Sequence, residues 1–157
     1  MATLAFHLAL FLAAFAFMEA FAWVTHRYVM HGFMWVWHKS HHEPREGAFE
    51  LNDLFAVVFA APAIVAIYFG ANGTPWLLPV GLGITAYGFV YFIFHDGMVH
   101  RRFKTPFGKS AFWKRAIQAH RIHHAVHTKE GAVSFGFLVA RPVRVLKAQL
   151  KARGGEA

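Results

Sequence analysis

The chain alternates long apolar stretches with short polar ones that carry most of its histidines. Residues 1–25 hold no Lys or Arg and a single acid, Glu19, and residues 54–94 hold no charged side chain. A helix needs about 20 apolar residues to cross the hydrocarbon core, so the first stretch can cross once and the second twice. The pattern predicts a first span from about Leu4 to Val24, its helix continuing to about His31. A second span runs from about Leu54 to Phe69, kinked at Pro62. A third runs from about Trp76 to Phe94 and continues toward His100, with Gly81, Gly83 and Gly88 permitting close helix contact. Trp23, Tyr28, Trp35 and Trp37 follow the first span as an interfacial aromatic belt.

Between and after the spans the pattern is shorter in period. Ala71-Asn72-Gly73-Thr74-Pro75 reads as an uncharged turn. His38 to His42 falls in a polar connector ending near Pro44. Ser110 predicts the N-cap of a helix through His127. Ala132 to Ala140 is apolar but too short to span, and belongs in the interface or against the other helices. From Pro142 to Arg153, Val143, Leu146 and Leu150 oppose Arg144, Lys147 and Lys151, as in a helix lying on a membrane surface. The expected fold is an all-α integral membrane protein of about three transmembrane helices, with cytoplasmic-side helices, in a single domain over residues 1–157.

Composition supports the membrane reading and charge orients it. The chain is 57% hydrophobic with a mean hydropathy of +0.36, too apolar for an ordinary soluble protein of this length. The N-terminus lacks the basic start of a secretory signal, so the first stretch reads as a retained span. Net charge is +8, and every Lys and Arg lies in residues 27–45 or after residue 100. The positive-inside bias then places the N-terminus outside and the long tail in the cytoplasm. The basic residues interleave with spans, which argues against nucleic acid and for attraction to anionic lipid and an acidic soluble partner. With no cysteine, disulfides, thiolate zinc sites and iron–sulfur clusters ligated by this chain are excluded.

Eleven of the twelve histidines fall into four clusters. His120-Arg121-Ile122-His123-His124 has spacings of three and four, which on a helix at roughly 100° per residue place its rings within one arc. His127 continues the same face. The box recurs as His38-Lys39-Ser40-His41-His42, and two wider pairs accompany the boxes, His26 with His31 and His95 with His100. The first and third spans thus each end in His-x4-His followed by His-x2-His-His, a loose internal repeat. The orientation puts all four clusters on the cytoplasmic side. Neutral imidazole ligates iron, zinc, copper and nickel, and the ten histidines His26, His31, His38, His41, His42, His95, His100, His120, His123 and His124 suffice for two ions with five nitrogens each. A spacing of five separates rings by roughly 140° on a regular helix, so the two members of each wide pair serve different ions or the helix loosens between them. Amphipathic side chains resting at an interface would account for one or two histidines, not for repeated clusters on one side of a bilayer. His7 stands alone near the outer end of the first span and is assigned no role.

The acids are second-sphere or path candidates. Asp96 follows His95 and can orient an imidazole; Asp53, with Asn52, can do likewise at the start of the second span. Glu19 lies seven residues before His26, on the same face and roughly 10 Å deeper at about 1.5 Å per residue. It can bond a ligand histidine, admit a proton, line a substrate path, or make a structural hydrogen bond to a neighbouring helix. Soluble di-iron bundles use Glu-x-x-His pairs, and the sequence has none. Gly81-Leu82-Gly83 does not complete a dinucleotide fingerprint, and no Ser or Cys nucleophile has a convincing setting.

Several stretches resemble one family. His26-Arg27-Tyr28-Val29-Met30-His31-Gly32, His38-x2-His41-His42, Glu50-Leu51-Asn52-Asp53, His95-Asp96-Gly97-Met98-Val99-His100, Ala119-His120-Arg121-Ile122-His123-His124-Ala125 and Val133-Ser134-Phe135-Gly136-Phe137 are similar to the bacterial β-carotene hydroxylases. These are a branch of the membrane His-rich di-iron oxygenases in the fatty acid hydroxylase and sterol desaturase superfamily. The resemblance covers nearly the whole chain; the boxes alone indicate the superfamily and the intervening residues the branch. It implies O2-dependent hydroxylation of the β-ionone rings of β-carotene to β-cryptoxanthin and zeaxanthin. It also implies two Fe ions on the ten motif histidines, a carotenoid drawn from the bilayer, and reduced ferredoxin as electron donor. Zn suits the same ligands in a purified sample. The expected location is the bacterial inner membrane with the active site on the cytoplasmic side. The alternatives are a fatty acyl hydroxylase or desaturase of the superfamily and a membrane metal transporter, although transporters bind near the midplane, where this chain offers only Glu19.

Overall fold

The computed structural model describes residues 2–45 and 47–154, and among them every regular element is helical. Helix α1, Ala2–Val24, runs directly into a π-helical segment, Thr25–Phe33. The chain leaves helical geometry at Gly32 (φ −109°, ψ −123°) and turns into α2, Trp35–His42. A 3₁₀ turn, Leu51–Asp53, leads into α3, Leu54–Ala71. After a tight turn come α4, Leu77–Phe92, and a second π-helical segment, Ile93–Val99. Two shorter helices follow, α5 at Ala111–His124 and α6 at Val143–Ala152.

The segments Ala2–Phe33, Leu51–Ala71 and Leu77–Val99 are long and apolar enough to cross a membrane. Their apolar side chains point outward as well as inward: Leu4, Phe17, Val57, Ile64 and Phe89 are exposed. A helix apolar on every side has no face for water and suits lipid. Since lipid offers no hydrophobic drive for helices to associate, close backbone approach must supply the packing. A Cβ on Gly81 would fall 2.7 Å from Ile67 Cγ1, and one on Gly83 would fall 2.5 Å from Phe11 O. These two glycines seat α4 between α3 and α1. Gly88 differs: a Cβ there would meet nothing within 4 Å.

α4 runs antiparallel to α3, and α1 and α4 deliver their π segments to the end of the bundle where α3 begins. The histidine boxes lie over that end, on α2 and α5. Three details depart from the sequence reading. His38 to His42 is helical rather than a connector, because the break at Gly32 lets a fresh helix start at Trp35. α5 is capped by Ser110, whose hydroxyl accepts the Trp113 N–H, but it ends at His124, leaving His127 off the helix. The apolar stripe of α6 faces protein rather than a membrane: Leu146 and Leu150 are each 1% exposed and pack with Ala119 of α5 and with Val133. Amphipathicity fixes which face is apolar, not which apolar surface it meets.

The apolar stretch from Ala132 to Ala140 has no regular structure and is largely buried against the helices. Glu19 anchors it. One carboxylate oxygen accepts the N–H groups of Phe137, Leu138 and Val139 at 3.0, 3.0 and 2.9 Å. The other accepts the Tyr87 hydroxyl at 2.8 Å. Of the roles open to Glu19, the structure supplies a hydrogen bond to α4 and an unforeseen one to this loop.

Candidate metal centre

The centre begins with the two π segments. A π turn closes on residue i+5 rather than i+4, so side chains five apart stack along one face. His26 with His31, and His95 with His100, each therefore point the same way. The helix loosens, and each pair stays together.

The imidazoles gather into two buried groups. In one, ring nitrogens of His41, His95, His100, His120 and His124 lie within 4.8 Å of one another; in the other, those of His26, His31, His38 and His123 do. His42 adjoins the second group, its Nε2 3.2 Å from that of His38. Each box is divided between the groups. His38 and His42, four apart on α2, serve one while His41 serves the other; His120 and His124 on α5 serve one while His123 serves the other. The internal repeat thereby becomes a spatial exchange. Each group takes a π pair and an i, i+4 pair from its own half of the chain and the middle histidine of the box from the other half.

The spacings suit metal. With metal–nitrogen bonds of about 2.0–2.1 Å, two ligands at right angles are about 2.9 Å apart, and at the tetrahedral angle about 3.4 Å. The Nε2···Nε2 distances are 2.8 Å for His41–His95, 3.0 Å for His120–His124, 3.1 Å for His31–His123 and 3.2 Å for His26–His38. His100 Nε2 is buried with no hydrogen-bond partner among the described residues, as are Nδ1 of His120 and of His123. An all-imidazole donor set of this size fits iron or zinc.

Outer contacts fix the tautomers. Carbonyl oxygens can only accept, so Nδ1–H donates from His26 to Phe135 O at 2.9 Å, from His31 to Lys129 O at 2.8 Å and from His42 to Val126 O at 2.8 Å. His38 donates to Asn52 Oδ1 at 2.7 Å, His41 to Glu50 Oε2 at 2.9 Å and His95 to Asp96 Oδ1 at 2.7 Å. With the proton on Nδ1, the Nε2 lone pair is free to ligate. Burial, reinforced by neighbouring imidazoles, pushes His38, His41, His120, His123 and His124 far below the ordinary imidazole range. Burial likewise takes His42 down to about 4 and His100 down to about 3. These rings are neutral at pH 7, the form that binds metal.

Aromatic rings close the apolar side. Phe137 stacks on His26 at 5.4 Å and Tyr91 on His95 at 4.8 Å. On the polar side a cleft of about 370 Å³ lined by His41, His42, His100, Arg121, His124 and His127 reaches the groups.

The remaining candidates are placed as follows. Asp96 bonds His95. Asp53 hydrogen-bonds to none of the described histidines but chelates Arg102 at 2.8 and 2.9 Å, while its neighbour Asn52 holds His38. His127 donates from Nδ1 to the backbone carbonyl of His42, bracing α2 against the loop after α5. Glu19 contacts none of the described histidines, and His7 lies beside Phe6, away from both groups. Sequence reasoning did not single out Glu50 or Arg102. Glu50 stood inside a quoted motif, and Arg102 was one of a run of basic residues.

Comparison with known proteins adds the following. The fatty acid hydroxylase family model matches residues 11–141. A β-carotene hydroxylase of Pantoea ananas is 55% identical over 88% of this chain and 79% of its own length. One from Paracoccus sp. (strain PC1) is 48% identical over 87% and 86%. The chloroplastic β-carotene 3-hydroxylase 2 of Arabidopsis thaliana is 44% identical over 68% of this chain and 37% of its own length. No solved structure matches the chain.

Proposed function

This chain belongs to the fatty acid hydroxylase family, and we propose that within it the chain is a β-carotene 3-hydroxylase. It uses two iron ions, O2 and electrons from reduced ferredoxin to convert β-carotene to β-cryptoxanthin and then zeaxanthin. The observation that carries the chemistry is the convergence of ten imidazoles into two buried groups at one end of three spanning helices. The substrate rests on the bacterial relatives, named β-carotene hydroxylases at 47–55% identity.

The balance is one ring C–H, one O2, two electrons and two protons giving one C–OH and one water. What the iron pair supplies when bound is reductive activation of O2 and removal of the ring hydrogen. The chain's residues do the rest. Phe135, Lys129, Val126, Asn52, Glu50 and Asp96 hold six imidazoles with Nε2 turned inward. Phe137 and Tyr91 cover the group on the bilayer side and exclude water. Glu19 fixes the loop that carries Phe137. A carotenoid approaches laterally from the bilayer, one ring reaching the buried groups.

With no cysteine the chain ligates no iron–sulfur centre and carries no redox thiol of its own, which supports an external electron donor. A second cleft, lined by Arg101, Lys104, Lys109, Lys114 and Arg121 among others, shares Arg121 with the cleft that reaches the histidines and supports an acidic donor docking there. The positive-inside rule supports an inner-membrane location with this face cytoplasmic. Expression in β-carotene-producing cells tests the reading: zeaxanthin is expected, whereas new hydroxylated or desaturated acyl chains with unchanged carotene would assign the acyl substrate. His41→Ala or His120→Ala is expected to abolish product and His7→Ala to retain it, scored by chromatography of extracted carotenoids.

A further inference from the structure

The two histidine groups differ in what stands behind them. In the group of His26, His31, His38 and His42, each Nδ1–H ends on an uncharged oxygen: Phe135 O, Lys129 O, Asn52 Oδ1 and Val126 O. In the other group, His41 ends on Glu50 and His95 on Asp96. Arg102 joins the two acids, lying 3.5 Å from Glu50 Oε1 and 3.2 Å from Asp96 Oδ2. The circuit Arg102–Glu50–His41–His95–Asp96–Arg102 is closed by the 2.8 Å approach of the two Nε2 atoms.

Two features show that the circuit is built. Arg101 sits in the left-handed region, φ +53°, a conformation unfavourable for a residue with a side chain. It reverses the chain after the π segment so that the Arg102 N–H reaches Asp96 O at 2.8 Å and its guanidinium returns over the carboxylates. Arg102 also hydrogen-bonds the second oxygen of Asp96 at 3.2 Å and stands 3.5 Å from that of Glu50, so both carboxylates are held beside their imidazoles.

We infer that the two groups hold their metals unequally: the one containing His41 and His95 binds its ion more tightly than the one containing His26, His31 and His38. A carboxylate accepting Nδ1–H makes the imidazole a stronger donor at Nε2 than a carbonyl or amide oxygen does. Three carboxylates, Glu50, Asp53 and Asp96, face one guanidinium in this cluster, an excess of acidic groups on the outer side of a bound cation. Among the described residues, no acid accepts from the imidazoles of the other group. The inference rests on the dimetal reading above.

The test is chelator competition on the full-length protein in detergent, loaded anaerobically with Fe(II) and followed by metal content, with circular dichroism to check the fold. The intact protein is expected to hold two ions per chain and release them in two steps, separated by about tenfold or more. Asp96→Asn is expected to weaken the tighter step by about 10- to 100-fold and leave the other in place. Asn52→Asp, which puts a carboxylate behind His38, is expected to tighten the weaker step and narrow the gap, an outcome a misfolded variant cannot give. Two ions released together, or Asp96→Asn weakening both steps alike, would overturn the inference and leave the dimetal reading standing. Uptake of fewer than two ions per chain would overturn that reading and the inference with it.

Discussion

Glu19 shows what one side chain can hold. It is the sole acid of the first span, and it gathers three backbone N–H groups and a phenol. Glu19→Ala leaves those donors without acceptors, and each buried one, as at Phe137 and Tyr87, costs about 1–3 kcal/mol when unsatisfied. Thermal unfolding in detergent is expected to show a loss of about 3 kcal/mol or more, with Glu19→Gln losing less because one oxygen remains. The histidines make a second prediction. The folded chain takes His42 down to about 4 and His100 down to about 3 from 6.5, so below pH 6.5 the unfolded chain binds more protons than the folded one. The stability these neutral rings contribute is complete above that pH and lost as it falls through the window. The melting temperature of metal-free protein is expected to drop from pH 6.5 toward pH 4; a flat profile would contradict burial of neutral imidazole. At this scale Asp96 was legible because it adjoins its histidine. Arg102 was not, because its partner Asp53 is 49 residues away and nothing local sets it apart from Arg101 or Lys104.

Among the elements, the three spans were legible because an apolar stretch of that length with at most one charge has few alternatives to crossing lipid. The π segments were half legible: a spacing of five fits neither an α-helical face nor a strand, and only the backbone shows that both pairs close. α2 was missed because eight largely polar residues carry too little apolar periodicity to announce a helix. α6 was assigned the wrong surface, and its true one gives a prediction. Leu146→Ala opens a cavity between α6 and α5 and is expected to cost about 2–5 kcal/mol in chemical unfolding. A face resting on lipid would lose well under 1 kcal/mol. Since Ala119 of the same cluster adjoins His120, the variant is also expected to loosen metal retention.

Across the whole molecule, the proposed sidedness rests on one uncharged turn and one basic end. The chain has no cysteine, so single introduced cysteines report topology without background. Asn72→Cys is expected to react with an impermeant maleimide on intact cells, and Lys109→Cys only after lysis; the reverse pattern would place the histidines outside. The exchange of His41 and His123 carries a consequence for how the centre is put together. Neither half of the polypeptide, cut at the turn that follows α3, owns all five imidazoles of either group. Ions held there act as rivets between the halves, and a protein severed in that turn would be expected to reassemble around iron yet fall apart when it is stripped away.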